Sequence, residues 1–277
     1  MLIAQITDAH IVEKNKHWLS EPATATAERL SRVIDYINAL NPLPDVVFFT
    51  GDATDEGTQE AYYYFFELMA PLKVPLYVLP GNHDRREQMR KTFAHTGYVS
   101  ASGFIHYAIN HYPVRLIALD THVEGEGYGH LCEERFHWLQ KTLDEESDKP
   151  TLIFMHHPPV MVGSKVFDRI ACSIPSSFED FIREKNNVIG ILAGHYHHLC
   201  VASFGGKVCF IAPSVAPVHH FAHPQDEQMT AIELEDPAVT LHRWQNGRLV
   251  SHVMRIKEKY HRIDWAMIQK KRLEESK

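Results

Sequence analysis

LIAQITDAH, residues 2–10, is an apolar run that stops abruptly at two polar residues, Asp8 and His10. The construction recurs along the chain. Residues 46–50 lead into Gly51-Asp52, residues 76–79 into Pro80-Gly-Asn-His-Asp84, and residues 116–119 into Asp120-Thr-His122. Residues 152–155 lead into His156-His-Pro-Pro159, and residues 188–193 into Gly194-His-Tyr-His197. Short apolar runs without polar alternation are strands buried on both faces. Between them, residues 23–40 put Leu30, Val33, Ile34, Ile37 and Leu40 on one helical face, and residues 58–72, 133–146 and 177–185 read as further helices. The aromatic stretch AYYYFFELM within 58–72 reads as a packed helix rather than a binding box. Strand–helix alternation predicts an α/β core. In such sheets the functional crevice lies beyond the carboxyl ends of the strands, so the polar endings are expected to converge on one site.

After Val201 the pattern changes. Residues 208–212, 229–234, 239–244 and 249–256 read as strands that complete a second sheet and its edge, and Asn246-Gly247 predicts a hairpin. From Lys257 a charged, amphipathic tail reads as a surface or interface helix. With 44% hydrophobic and 23% charged residues in 277, the chain fits a globular protein with a substantial core. The net charge of −7 argues against a general affinity for nucleic acid, which needs clustered Lys and Arg. The four cysteines are scattered and read as free thiols of a reducing cytosol, not as a zinc–thiolate site. No stretch approaches the ~18 apolar residues of a membrane span, and the first residues lack a signal-peptide pattern. The expected address is cytoplasmic, with no membrane partner.

A single Asp or His at a strand end is ordinary, but Asp8-x-His10, Gly51-Asp52, Gly81-Asn-His-Asp84, His156 and Gly194-His-x-His197 occur in order, each after an apolar run. This set resembles the five-motif signature of the calcineurin-like metallophosphoesterases, and spans about 70% of the chain. FMHHPP at 154–159 and the chain length resemble the class III phosphodiesterase group, with its glycerophosphodiesterases and cyclic-nucleotide phosphodiesterases. One departure is Gly51-Asp52-Ala53, where family members carry GDI or GDL; it alters no ligand. The resemblance implies a four-layer α-β-β-α sandwich of two mixed sheets flanked by helices, with a small C-terminal β-rich cap or dimerisation element. Residues 1–200 would form the core, 201–256 second-sheet strands and a cap hairpin, and 257–277 the tail.

The resemblance also implies a site. Asp8, His10 and His197 would bind one metal, Asn82, His156 and His195 the other, and Asp52 would bridge them. Such a mixed oxygen/nitrogen set suits two divalent ions from among Mn, Fe, Zn and Co. In an extended strand the His195-x-His197 spacing would send both rings to one face. Two cations activate water and clamp the phosphate, so a metal-bound hydroxide would hydrolyse the ester directly, without a phosphoenzyme. His83 resembles the family's catalytic histidine. Asp84 would either hold the His83 ring or cap the helix that follows. His157, facing away from His156 in a strand, reads as structural, and His198 as peripheral. His219 and His220 lie where related enzymes place a substrate-contacting loop, and with Asn82 and His83 they form the expected substrate contacts. His17, Trp18 and His122 read as loop surface. Gly125–Gly129 (GEGYG) lacks the Lys of a phosphate-binding loop and reads as a mobile loop at the site mouth.

The leading expectation is therefore a small-molecule phosphodiesterase acting on a glycerophosphodiester, a 3′,5′-cyclic nucleotide, or both. A phosphomonoesterase or nucleotidase would use the same metals but need another cation for the extra charge, and only Arg85 and Arg86 adjoin a motif. A non-catalytic binding module on the same fold would have lost ligand positions that are all present here. The β-rich C-terminal third and the tail, with the resemblance, predict a homo-oligomer, a dimer or an assembly of dimers.

Overall fold

Alternate residues of each central strand face opposite sides of its sheet, and this period of two builds the layers. The computed structural model describes residues 1–220 and 226–259, together with residues 265, 268, 269 and 274. The strands of the two main sheets are β1 (Leu2–Ile6), β2 (Val46–Phe49), β3 (Leu76–Val78), β4 (Tyr107–Ile109), β5 (Arg115–Leu119), β6 (Thr151–Met155), β7 (Val188–Ala193), β8 (Cys200–Phe204), β9 (Lys207–Ile211), β10 (Ala238–Gln245) and β11 (Arg248–Arg255). The covering helices are α1 (Thr26–Asn38), α2 (Gln59–Met69), α3 (Arg86–Phe93), α4 (Glu133–Glu145) and α5 (Phe178–Glu184). One sheet has the order β11-β10-β1-β2-β3, the other β8-β9-β7-β6-β5-β4. Both are mixed: the centres are parallel, while β10–β11, β8 and β4 run antiparallel to their neighbours.

Leu116, Ala118, Leu152, Phe154 and Leu192 of the second sheet pack toward the first, where Phe154 stacks on Phe48 at 3.8 Å between ring centres. The intervening Ile117, Leu119, Ile153, Met155 and Ile191 pack instead with Leu139 and Leu143 of α4 and Phe178 and Ile182 of α5. On the far side of the first sheet, Phe49 meets Phe65 of α2 edge-on at 5.0 Å, and Leu30, Val33 and Ile37 of α1 join the same core. Each such side chain contributes about 1.5–3 kcal/mol by burial. The result is the α-β-β-α sandwich expected from the sequence.

The expected helix at 23–40 begins only at Thr26, because Ala25 takes a left-handed conformation (φ 44°) after two short 3₁₀ turns. The helix expected at 58–72 is capped by the Thr58 hydroxyl, which accepts from the Ala61 N–H, and ends at Met69 before Pro71. The helix expected after Asp84 is α3, whose eight mostly polar residues carry no apolar stripe to set its bounds, and the sequence reading missed the short strands β4 and β8. The strand expected at 229–234 shrinks to Ile232–Glu233, paired with Val218–His219. Asn246 (φ 53°) and Gly247 (φ 70°) form the expected hairpin turn. That hairpin extends the first sheet, whereas β8 and β9 complete the second. The expected tail helix lies outside the described residues except at residues 257–259, 265, 268, 269 and 274. Among the described residues no helix is long and apolar enough to cross a membrane.

Candidate metal centre

The carboxyl ends of β1, β2, β3, β6 and β7 deliver every expected ligand to one place. They do so through strained backbone. Asp8 (φ 52°), His10 (46°), Asp52 (53°), His195 (77°) and His197 (60°) all lie in the left-handed region, at a cost of order 1–3 kcal/mol each. The strain is held by bonds between loops: Asp8 N–H to Gly51 O at 3.0 Å, His10 N–H to Asp52 O at 3.1 Å, and His195 N–H to Asp8 Oδ2 at 3.0 Å. Two glycines permit the close approach. A Cβ on Gly51 (φ 95°) would strike the His156 ring, and one on Gly194 would come within 2.8 Å of Asp8 Oδ2.

Two expectations based on strand alternation therefore need correcting. Residues 194–197 coil instead of extending, so His195 groups with His156 and His157, and His197 with Asp8 and His10. Likewise β6 ends before the His156-His157 pair; the two rings lie side by side, 4.8 Å apart, and both are buried.

The hydrogen bonds of the rings fix which nitrogen faces inward. His197 Nδ1 donates to Pro217 O at 2.9 Å, and His156 Nδ1 to Thr50 O at 2.8 Å, since a carbonyl only accepts. His10 Nδ1 is held by the Asp55 carboxylate at 3.0 Å. The Nε2 lone pairs of all three thus point into the site, and those of His10 and His197 are only 3.1 Å apart. His195 Nε2 donates to Ile170 O at 2.9 Å, which leaves Nδ1 to the site. Asp8 Oδ1 is buried without a hydrogen-bond partner, 3.7 Å from His197 Nε2 and 3.9 Å from His156 Nε2. Asp52 Oδ2 lies 3.2 Å from His156 Nε2 and 3.7 Å from His10 Nε2. Acceptors converging on acceptors repel one another unless a cation lies between them. Burial, with the Asp52 charge beside it, pushes the Asp8 carboxyl up to about 6 against the pull of His156 and His10. Against the effect of burial, Asp52 and Asp8 push the His156 imidazole up to about 9, so even a proton is drawn into this pocket. The residues fit divalent cations.

His83 lies beside this centre, and its backbone N–H donates to Asp52 Oδ1 at 2.8 Å. Its ring is held by Asp55, not by Asp84: Nδ1 donates to Asp55 O at 2.8 Å and lies 3.3 Å from Asp55 Oδ1. Burial opposes the charge, but Asp52 and Asp55 together push the His83 imidazole up to about 10. Asp84 is occupied elsewhere. Its buried carboxylate takes the Gly81 N–H at 2.9 Å, the Tyr62 hydroxyl at 2.7 Å and the Ala53 N–H at 3.3 Å, and so ties the Gly51-Asp52 loop to the Gly81–Asp84 loop. Nor does it cap α3, whose N-cap is Arg85. The sequence reading missed Asp55 altogether, although it also accepts from Trp18 Nε1 at 2.9 Å.

A cavity of about 260 Å³ opens over the centre, lined by Asn82, His83, Gly127, Ile170, His219 and Met229 besides the inward histidines. Of the expected substrate pair, His219 reaches it, with its ring 4.8 Å from His197 and its Nδ1 buried without a partner. His220 does not; it is half exposed and paired with Glu233 at 2.5 Å. His198 supports His219 through its carbonyl oxygen. Trp18 and His122 are buried rather than loop surface, and Trp18 stacks on His10 at 4.8 Å; His17 is exposed. Gly127 puts the 125–129 loop at the mouth. Arg86 is bound to Asp120 at 2.7 and 2.8 Å, and the half-buried Arg85 lies 3.6 Å from Glu124.

Residues 1–199 match the family model described as calcineurin-like phosphoesterase. The chain is 35% identical over 246 residues to the probable glycerophosphodiester phosphodiesterase GpdQ of Arcobacter nitrofigilis, covering 88% of this chain and 89% of that protein. It is 26% identical over 265 residues to the 3′,5′-cyclic adenosine monophosphate phosphodiesterase CpdA of Pseudomonas aeruginosa, covering 96% and 93%. A dimetal phosphatase from Danio rerio has the same fold, with a TM-score of 0.64 and 14% identity over 91% of this chain and 95% of that one.

Proposed function

The chain belongs to the calcineurin-like phosphoesterase family, and from that premise we propose that it hydrolyses small phosphodiesters at a pair of divalent cations. Asp8, His10 and His197 would hold one ion, Asn82, His156 and His195 the other, and Asp52 would reach both sets. The observation that carries this reading is the inward convergence of acceptor atoms, above all the two Nε2 lone pairs of His10 and His197 at 3.1 Å. When bound, the pair lowers the pKa of water and offsets the charge on the phosphoryl oxygens.

The protein's own groups supply the rest. His83, protonated and oriented by Asp55, donates a proton to the departing alkoxide. Among the described residues lining the cavity there is no Ser, Thr or Cys, which supports direct attack by water without a phosphoenzyme. A diester is favoured over a monoester because the described residues that line the cavity include no Lys or Arg to meet a second phosphate charge. The relatives' names support a glycerophosphodiester or a 3′,5′-cyclic nucleotide as substrate. The mixed oxygen and nitrogen ligands suit Mn, Fe, Zn or Co. A homo-oligomer belongs to the same proposal, supported by the uncharged edge strand β8 with its exposed Val201.

Chelation is expected to abolish hydrolysis of bis(p-nitrophenyl) phosphate, and added Mn, Co or Zn to restore it. Turnover is also expected to favour glycerophosphoethanolamine or cyclic AMP over a monoester in relative kcat/KM. Metal-independent turnover would contradict the mechanism, and preference for the monoester would contradict the substrate class.

A further inference from the structure

Two fully buried polar side chains, Gln5 on β1 and His242 on β10, stand in the core between the sheets, where the reaction uses neither. Their hydrogen bonds have a fixed direction. The Ala193 carbonyl can only accept, so the Gln5 amide NH₂ turns to it at 3.0 Å and to Thr50 Oγ1 at 3.0 Å. This leaves Gln5 Oε1 for His242 Nε2 at 2.9 Å, which must carry the proton. His242 Nδ1 then accepts from the Ser251 hydroxyl at 2.7 Å. Burial pushes the His242 imidazole down to about 3, so the ring stays neutral, as this chain of donors requires.

The metal centre is assembled from both sheets. Asp8, His10, Asp52 and Asn82 follow strands of the first, and His156, His195 and His197 follow strands of the second. Ala193 is the last residue of β7, directly before Gly194-His195. Thr50 follows β2, directly before Gly51-Asp52, and its carbonyl takes His156 Nδ1. Gln5 therefore joins the two sheets immediately beneath the ligands. Apolar contacts such as Phe48 on Phe154 have no preferred direction and permit small slides; an amide donating to two sheets does not.

We propose that Gln5, backed by His242 and Ser251, is a positioning clamp that sets the spacing between the two halves of the metal centre. It touches neither metal nor substrate and acts through Thr50 and Ala193. The inference rests on the two-cation reading above.

Gln5→Met keeps side-chain length and loses both donors. Metal titration of this variant is expected to show affinity weakened about 10–100-fold, as for other groups that orient ligands. Its kcat should fall while KM at saturating metal stays near that of the unaltered protein. His242→Phe, which strands Gln5 Oε1, should weaken metal binding in the same direction and covers the case in which Gln5→Met does not fold. Phe210, whose ring lies 5.3 Å from His242, provides the control. Phe210→Leu loosens the same core without removing a hydrogen bond, so it should lower Tm but leave metal affinity unchanged. Unchanged metal affinity in Gln5→Met overturns the clamp, and so does an equal loss in Phe210→Leu, since that would be general loosening. An unaltered protein that takes up no metal would instead remove the two-cation reading itself.

Discussion

Asp52→Ala is expected to lower kcat by about a thousandfold, the scale of several kcal/mol of lost charge stabilisation, and to leave at most one metal ion per chain. Asp52 reaches both clusters at the shortest range: Oδ2 lies 3.2 Å from His156 Nε2 and 3.7 Å from His10 Nε2. The other buried carboxylate among the proposed ligands, Asp8, has one oxygen committed to the Thr7 hydroxyl and the His195 N–H. Its remaining oxygen, Oδ1, stands farther out, 3.7 Å from His197 Nε2 and 3.9 Å from His156 Nε2. The variant should stay folded, because removing Asp52 takes away a buried charge and leaves the apolar layers intact. Elemental analysis alongside kinetics checks this. Retention of two ions at the original affinity would contradict the bridging role.

His83→Asn is expected to lower kcat about 10²–10⁴-fold, the range of a lost general acid, with metal content unchanged. The separation follows from geometry: the His83 side chain is tied to Asp55, and only its backbone N–H reaches Asp52. Asp55→Asn should produce a smaller fall, about 10–100-fold, with a further signature in the pH profile. Asp52 and Asp55 push the His83 imidazole up, so the ring stays protonated through neutral pH. Without the Asp55 carboxylate that pKa drops back, the acid form is lost sooner as pH rises, and the alkaline limb of kcat should move to lower pH. An unmoved limb would separate His83 from proton donation. Loss of metal in His83→Asn would make His83 a ligand.

What could be read in the sequence, and what could not, follows from the range of the interactions. Apolar runs ending in Asp, His or Asn are local facts, so the strands and the convergence of Asp8, Asp52, Asn82 and His156 are legible, while the four layers follow only from the family resemblance. Asp55 was not, because its partner His10 lies 45 residues away and nothing in GDATD marks the second aspartate. Asp84 misled by adjacency: a neighbour in sequence to His83, it turns the other way to bind Gly81 and Tyr62. The His195-x-His197 reading assumed a strand, whereas both residues adopt left-handed backbone, which alternation rules do not cover. Trp18 reads as loop surface because a lone aromatic in a polar loop gives no sign that it will stack on a distant histidine.

Anomalous diffraction from crystals grown with Mn or Zn tests the two-cation centre most directly. Two peaks roughly 3.5–4 Å apart are expected. One should lie about 2.1 Å from Nε2 of His10 and His197, the other equally near His156 Nε2 and His195 Nδ1, with Asp52 between them. A single peak, or none within reach of Asp52, would contradict it.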